Sequence, residues 1–370
     1  MRIGIDIKAF KNGTTGIARY LKSIMDCLQE VDQGNDYVLF ECSRSNYKLV
    51  NPRWQTTLFA WKLTGFLWQQ VILPIQVRKH EIDVLWAPEQ TCPIFLTKRV
   101  GLVTTIHDLV VVHFPHTSQL TTRIVYSIIS PFMLRRSDAL VTVSEYVKND
   151  VLNTFRGLTL ERKLFAIPNG RPDWQLPATY SPGNRKDFLF FAGAISPRKN
   201  LGNLIKALII LKERGLKIKL HLAGPQGWKN REIHEIMNKP EIKQQISYLG
   251  YLSEEELKSE YLTCKALVYP SIYEGFGLPV LEALCLDCLV LTSRKTVMEE
   301  IAKNSAIYFD PNDPGDIAAA IEKVYQPGFE REAYLALARK EIRRAFSWHD
   351  TARELLAVLT ETAVRNCGEQ

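Results

Sequence analysis

A chain of 370 residues, 46% hydrophobic and 24% charged, is too large for one ordinary core and too apolar to stay disordered, so it predicts two folded domains. Its net charge of +7 is concentrated in the first half, where residues 1–180 hold 21 Lys and Arg against 15 Asp and Glu, and an anionic partner or a scattered solvated surface explains that equally well. Seven cysteines without a repeating spacing read as reduced thiols, the single Cys285/Cys288 pair supplies only half of a four-cysteine zinc site, and no apolar run is long enough to span a bilayer. The opening "MRIGIDIKAF" does not read as a secretory signal, so the expectation is a cytoplasmic protein.

In chain order, "RIGIDI" at 2–7 predicts a strand and 17–30 a helix, with Thr14, Thr15 and Gly16 at the turn between them. Backbone N–H groups at such a turn can receive a phosphate or sugar, although one glycine also serves an ordinary tight turn, and neither GxGxxG nor a P-loop is present. The run 57–80, "TLFAWKLTGFLWQQVILPIQVRKH", suits an amphipathic helix placing Trp61, Phe66 and Trp68 at a membrane interface with Lys62, Arg78 and Lys79 toward anionic headgroups; packing against the sheet is the other reading.

Further strands are predicted at 83–88, 102–108, 139–144 and 163–168, a spacing that suits a mainly parallel sheet with helical crossovers. The strand at 102–108 ends in His107 and Asp108, which suit sugar or phosphate binding or a local satisfied pair; His107, His113 and His116 lack a metal-ligand spacing.

Residues 171–187, with three prolines, read as the linker. The alternation then restarts: strand "FLFFAG", a helix from "KNLGNLIKALIILKERG", strand "KIKLHLAG", strand-like "ISYLG", helix "EEELKSEYLTC" behind a Ser253/Glu256 capping box, strand "ALVYPS" and strand "LVLTS". Arg198 and Lys199 fall between a strand and a helix, where two cations and a helix start can meet a diphosphate. Glu274 and Glu282 lie eight residues apart across Gly275, Phe276, Gly277, Leu278 and Pro279. Such glycines free backbone N–H groups, and the two carboxylates suit sugar and ribose hydroxyls, or else merely favour a helix start.

"EGFGLPVLE" resembles the glutamate, seven residues, glutamate motif of the GT-B retaining glycosyltransferases, in particular the GT4 family of bacterial polysaccharide and lipopolysaccharide sugar transferases. The resemblance implies an α/β GT-B fold: two Rossmann-like domains facing across a cleft, with a C-terminal helix ("FSWHDTARELL" onward) returning to the first. It implies an acceptor-side domain at 1–170, completed by about 351–370, and a nucleotide-sugar domain at 188–350, with Asn169 and Gly170 accommodating the interdomain bend.

By the same resemblance His107 approaches the donor sugar, Arg198 and Lys199 hold the diphosphate, Glu274 the hexose and Glu282 the ribose. Thr15, Gly16 and the backbone of Phe276, Gly277 and Leu278 complete the donor contacts, and no metal is implied. Two departures stand out. Thr15 occupies a position commonly glycine, and Ala194 one commonly arginine. The implied activity is retaining hexosyl transfer, mannose from GDP-mannose being favoured over glucose from UDP-glucose, to a glycan or lipid-linked acceptor; peripheral contact with an anionic membrane is expected only from the 57–80 run, with internal packing as the equal reading. The alternative is a sugar-nucleotide-binding regulator without turnover.

Overall fold

A computed structural model describes residues 1–12, 15–59, 65–115, 120–178, 180, 185–225, 235, 237, 239–240, 242–342 and 345–368. Thr14, Trp61, Lys62 and His116, together with parts of the 171–187 stretch, lie outside the described residues. The chain divides into two compact units, one of Met1–Gly170 with Phe346–Gln370 and one of Arg171–Ala345.

The first unit is built on a parallel sheet of β1 (Arg2–Asp6), β2 (Asp36–Glu41), β3 (Trp54–Leu58), β4 (Val84–Ala87), β5 (Gly101–Ile106), β6 (Ala139–Thr142) and β7 (Leu164–Ala166). Their spatial order is β3-β2-β1-β4-β5-β6-β7. The order reverses between β1 and β4, the switch point of a doubly wound sheet, where ligand loops gather at the carboxyl ends. The central strands read as unbroken apolar runs because helices cover both faces; β5 is buried at every residue. Edge strand β3 has the pattern buried, exposed, exposed, intermediate, exposed, and this polarity left it without a strand signal in the sequence.

Helix α1 (Gly16–Val31) starts at Thr15, whose Oγ1 accepts a hydrogen bond from Ala18 N at 3.2 Å. A helical run over 65–79, α2, has a π turn at Trp68–Ile72 between α-helical ends. Helices α3 (Leu120–Arg136) and α4 (Glu145–Thr154) follow. The last helix of the chain, α11 (Trp348–Gly368), packs on α1 and on β4, β5 and β6. Trp348 meets Tyr20 edge-on with ring centroids 6.1 Å apart, and Thr351 Oγ1 donates to Pro168 O at 2.7 Å.

This return explains Gly170 differently from a bend. Its φ is not positive; rather, a Cβ there would lie 2.3 Å from the Trp348 backbone nitrogen. The glycine is needed for close approach of α11.

The second unit repeats the architecture with β8 (Phe188–Ala192), β9 (Lys219–Ala223), β10 (Ile246–Gly250), β11 (Ala266–Tyr269), β12 (Val290–Ser293) and β13 (Ala306–Phe309). All pair in parallel in the order β10-β9-β8-β11-β12-β13, so its switch point lies between β8 and β11. The helices are α5 (Leu201–Glu213), α6 (Glu254–Thr263), α7 (Leu278–Cys285), α8 (Val297–Ala302), α9 (Pro314–Tyr325) and α10 (Arg331–Glu341). The Ser253/Glu256 capping box opens α6 in both directions.

Residues 171–187 belong to this second unit rather than hanging free of it. Trp174 Nε1 donates to Glu254 Oε1 at 2.7 Å, and Arg185 donates to the carbonyls of Tyr261, Cys264, Leu286 and Asp287. Cys288 pairs with Cys264, Sγ to Sγ 3.3 Å, both buried. Among the described residues no group of three or more His, Cys, Asp or Glu is arranged to hold a metal.

Candidate active site

At the carboxyl end of β8 the chain turns through Gly193, φ 151°, directly beside Gly224 at the end of β9. A side chain on Gly224 would strike the Gly193 carbonyl oxygen at 2.2 Å, and one on Gly193 would reach Lys199 Nζ at 3.6 Å. The two glycines therefore let a tight loop fold Lys199 back over the strand end. A 3-10 turn at Pro197–Lys199 follows, and Asn200, φ 59°, starts α5 with its side-chain amide donating to Pro311 O at 2.5 Å.

That loop delivers both cations to one carboxylate from the neighbouring strand. Glu274, in the loop after β11, is 2.6 Å from Arg198 Nη1 and 2.5 Å from Lys199 Nζ. Ser271 Oγ donates to Glu274 Oε1 at 2.6 Å and the Tyr269 hydroxyl to the same oxygen at 3.2 Å. Lys199 also hydrogen-bonds the Tyr269 hydroxyl and lies 4.7 Å from the centre of its ring. Ile272 N donates to Arg198 O at 2.9 Å, fastening the β8 loop to the β11 loop.

Burial by itself raises the Glu274 carboxyl, but Lys199 and then Arg198 overcome it and hold the group down at about 2. The group is ionised at neutral pH and the cluster carries a net positive charge. Because the folded value lies below the unfolded one, this pairing stabilises the fold fully above pH ~4.5 and loses that contribution as the pH falls toward about 2. The shift corresponds to stabilisation on the order of 3 kcal/mol. Equilibrium unfolding followed from pH 6 to 2 should show a destabilising acid limb that is reduced in Glu274→Gln; an unchanged limb would mean that Glu274 is not held this way.

Glu282 sits in the middle of α7, 2% exposed, and its Oε2 accepts from the Tyr261 hydroxyl at 2.9 Å. Burial, then Glu282, raises the Tyr261 hydroxyl well above its ordinary value, so it stays protonated and donates. Glu282 is a full turn inside the helix: Leu278 is its first residue, Pro279 its second, and no acidic residue occupies the first turn. A helix-start preference therefore does not account for Glu282. Gly277 begins α7 at φ 102°, and a Cβ there would lie 2.7 Å from Met298 Sδ. Phe276 is buried against this turn.

In the first unit, His107 Nε2 donates to Pro88 O at 2.7 Å, and its ring meets Tyr20 edge-on at 4.7 Å. Burial lowers its pKa, so the imidazole is neutral, and with Nε2 donating to Pro88 its Nδ1 is left as an acceptor. Asp108 Oδ1 accepts from Val110 N at 3.0 Å and the Gln90 side chain also bonds this residue, so Asp108 shapes the loop. Thr15 is occupied as the cap of α1, while a side chain on Gly16 would meet open space. His113 pairs with Asp150 at 2.8 Å, away from His107's partners.

Sequence reasoning passed over the residues that support these groups. Tyr269 and Ser271 read as parts of the apolar strand "ALVYPS" and its end, and Tyr261 as one residue of the charged helix "EEELKSEYLTC" with nothing to mark it. At the switch point of the first sheet, Lys8 Nζ lies 3.2 Å from Glu89, 3.5 Å from Asp6 and 2.6 Å from Thr91 Oγ1, and Asp6 accepts from Gln69 Nε2 at 2.7 Å. Burial opposes the Lys8 charge, yet Asp6 and Glu89 raise its pKa, so it remains an ammonium. An aspartate inside the apolar strand "RIGID" was the one available signal.

Two family models meet end to end on this chain: "Glycosyltransferase Family 4" matches residues 14–173 and "Glycosyl transferases group 1" residues 174–341, the latter containing the whole Arg198, Lys199, Glu274 and Glu282 constellation. The chain belongs to the GT-B glycosyltransferases. Among curated relatives of this glycosyltransferase, the O-antigen chain mannosyltransferase B of Escherichia coli is 29% identical over 227 residues, 59% of each chain. The serotype-specific mannosyltransferase WbdA of Escherichia coli is 25% identical over 96% of this chain and 45% of that protein. The matched region thus spans about three fifths or less of these relatives' length.

Solved structures agree on the fold. HepE of Anabaena in complex with UDP and glucose superposes with TM-score 0.74 at 16% identity, over 98% of this glycosyltransferase and all of that chain. A glycosyltransferase of Rickettsia africae gives TM-score 0.72 at 16% identity over 98% of both chains.

Proposed function

We propose that this glycosyltransferase moves a hexose from a nucleoside-diphosphate sugar to a hydroxyl of a glycan or lipid-linked acceptor, with retention at the anomeric carbon, on the cytoplasmic side during synthesis of a bacterial surface polysaccharide. The observation that carries the reading is the Arg198–Glu274–Lys199 cluster at the switch point of the second sheet: two cations are already assembled where a diphosphate would lie. In this reading Arg198 and Lys199 bind the diphosphate, Glu274 orients hexose hydroxyls, Glu282 accepts from the ribose, and the N–H groups of Phe276, Gly277 and Leu278 meet phosphate or sugar. His107, Thr15 and Gly16 serve the sugar side from the first unit.

As the bond between the anomeric carbon and the diphosphate oxygen breaks, its electron pair stays on that oxygen, and the two cations stabilise the growing charge. The acceptor oxygen bonds to the anomeric carbon on the face being vacated, and its proton passes to the leaving diphosphate. Glu274, ionised and clasped by two cations, is poorly suited to act as a covalent nucleophile or as a proton donor at neutral pH.

Mannose is favoured as the sugar and GDP as the nucleotide, because several relatives are mannosyltransferases by name; the UDP and glucose held by Anabaena HepE make UDP-glucose the rival. A panel of nucleotide sugars assayed for binding and for transfer to bacterial glycan and lipid extracts tests the reading. GDP-mannose turnover with a retained anomer is expected. Selective UDP-glucose turnover would overturn the donor choice, an inverted product the mechanism, and tight binding without transfer or hydrolysis would leave a regulator. Within the same assay Glu282→Ala should weaken the free nucleotide roughly tenfold or more while leaving kcat less affected, as expected for a lost charge-assisted hydrogen bond.

A further inference from the structure

The Tyr261–Glu282 hydrogen bond joins two different helices, Tyr261 standing on α6 and Glu282 on α7. Keeping it at 2.9 Å therefore depends on how those helices are held against each other. The stretch 171–187, which carries the chain from the first unit into β8 of the second, supplies that hold at two points.

Arg185 is the first. Its guanidinium donates to Tyr261 O and Cys264 O at the end of α6, and to Leu286 O and Asp287 O just past the end of α7, the last of these at 2.7 Å. The final carbonyls of a helix have no partner within it, and here one planar fork of N–H donors serves both helix ends at once. A lysine cannot do the same, because its donors all radiate from a single nitrogen. The Tyr180 hydroxyl accepts from the same guanidinium at 2.9 Å, so Arg185 is also anchored to its own segment.

Trp174 is the second. It is buried, and its ring centre lies 6.1 Å from that of Tyr261, while Phe190 of β8 meets the Tyr261 ring edge-on at 5.2 Å. The indole is itself fixed: Nε1 donates to Glu254 Oε1 at 2.7 Å, and Lys258 Nζ lies 5.5 Å from the ring centre. Tyr261 is wholly buried, so its ring cannot reorient in this close packing without displacing such neighbours.

We propose that Arg185 and Trp174 are positioning residues for the nucleotide: from the segment between the units they hold Tyr261 on Glu282, and so aim that carboxylate at the ribose hydroxyls. The inference rests on the proposed role of Glu282 and goes beyond it by making the ribose contact depend on the connecting segment. The test titrates GDP and UDP, each against its dideoxy form lacking both ribose hydroxyls, into the full chain and its variants. Wild type should bind the ribonucleotides roughly tenfold or more tighter, the scale of hydrogen bonds to a charged group, and Tyr261→Phe should lose most of that preference. Trp174→Leu and Arg185→Lys should each narrow it to about threefold or less, while affinity for inorganic pyrophosphate, assigned to Arg198 and Lys199, stays within about twofold of wild type. Trp174→Phe keeps an aromatic ring beside Tyr261 and should recover most of the preference.

Trp174→Leu and Arg185→Lys proteins that keep the wild-type preference would overturn the proposal. So would equal losses of pyrophosphate and nucleotide affinity, which would reduce both residues to maintaining the fold. Failure of the underlying reading shows separately: a wild type without the preference, or Glu282→Ala retaining it, would remove Glu282 from the ribose and this inference with it.

Discussion

Replacing Lys199 by alanine is expected to lower kcat roughly 10²–10³-fold, the scale of removing one preorganised group from a developing anion. Lys199 is buried and makes three contacts with the site: an ion pair to Glu274 at 2.5 Å, a hydrogen bond to the Tyr269 hydroxyl, and a position over the Tyr269 ring. Its loss removes transition-state charge stabilisation and also leaves Glu274 held by Arg198 alone, so the carboxyl rises from about 2 because burial is then less well opposed. Two readouts separate these consequences. Single-turnover transfer reports the chemical step, and the acid limb of unfolding should move to higher pH. Lys199→Arg restores charge but not shape, since a planar guanidinium must replace a compact ammonium at a buried position, so partial rescue of the acid limb with little rescue of kcat is expected. Turnover within twofold of wild type in a folded Lys199→Ala protein would remove Lys199 from the mechanism.

Gly277→Ala should be strongly disruptive for a single added methyl, costing about 2–4 kcal/mol of stability. Two independent penalties meet there. The φ of 102° is unfavourable to any L side chain, and the new Cβ would overlap Met298 Sδ at 2.7 Å. The overlap can be relieved by the end of the Met298 side chain, but relief of the backbone strain would move the start of α7, which carries Glu282 and its bond to Tyr261 one turn later. Nucleotide affinity should therefore fall together with stability. A second substitution divides the cost: Met298→Ala removes the overlap but not the backbone strain, so Gly277→Ala/Met298→Ala should be less destabilised than the sum of the single changes. Strict additivity would show that Met298 yields freely and that φ alone accounts for the loss.

Much of the site was legible before any fold was known. The eight-residue interval between Glu274 and Glu282, the glycines between them, and the basic pair between a strand and a helix are local features, and local chemistry explains each. Their electrostatic state was not legible. Whether Glu274 is ionised depends on Lys199 and Arg198, which are 75 and 76 residues away in the chain and become neighbours only because β8 and β11 pair at the switch point. His107 was readable as a strand-end group, but its tautomer follows from Pro88, presented by the adjacent strand β4.

The sequence by itself determined the alternation of strands and helices, the break near 171, the capping box at Ser253 and the turn that starts α7, because periodicity, caps and glycine conformation act within a few residues. Only the tertiary structure decided which distant groups meet. Cys288 finds Cys264 rather than Cys285, Gly170 is required by Trp348, and Trp68 turns inward while Val71 turns outward across a π turn. The physical reason is common to all three: such contacts are set by strand order and by the closure of the last helix onto the first sheet, and a one-dimensional pattern of apolar and polar residues constrains which face is buried far more tightly than it constrains what that face is buried against.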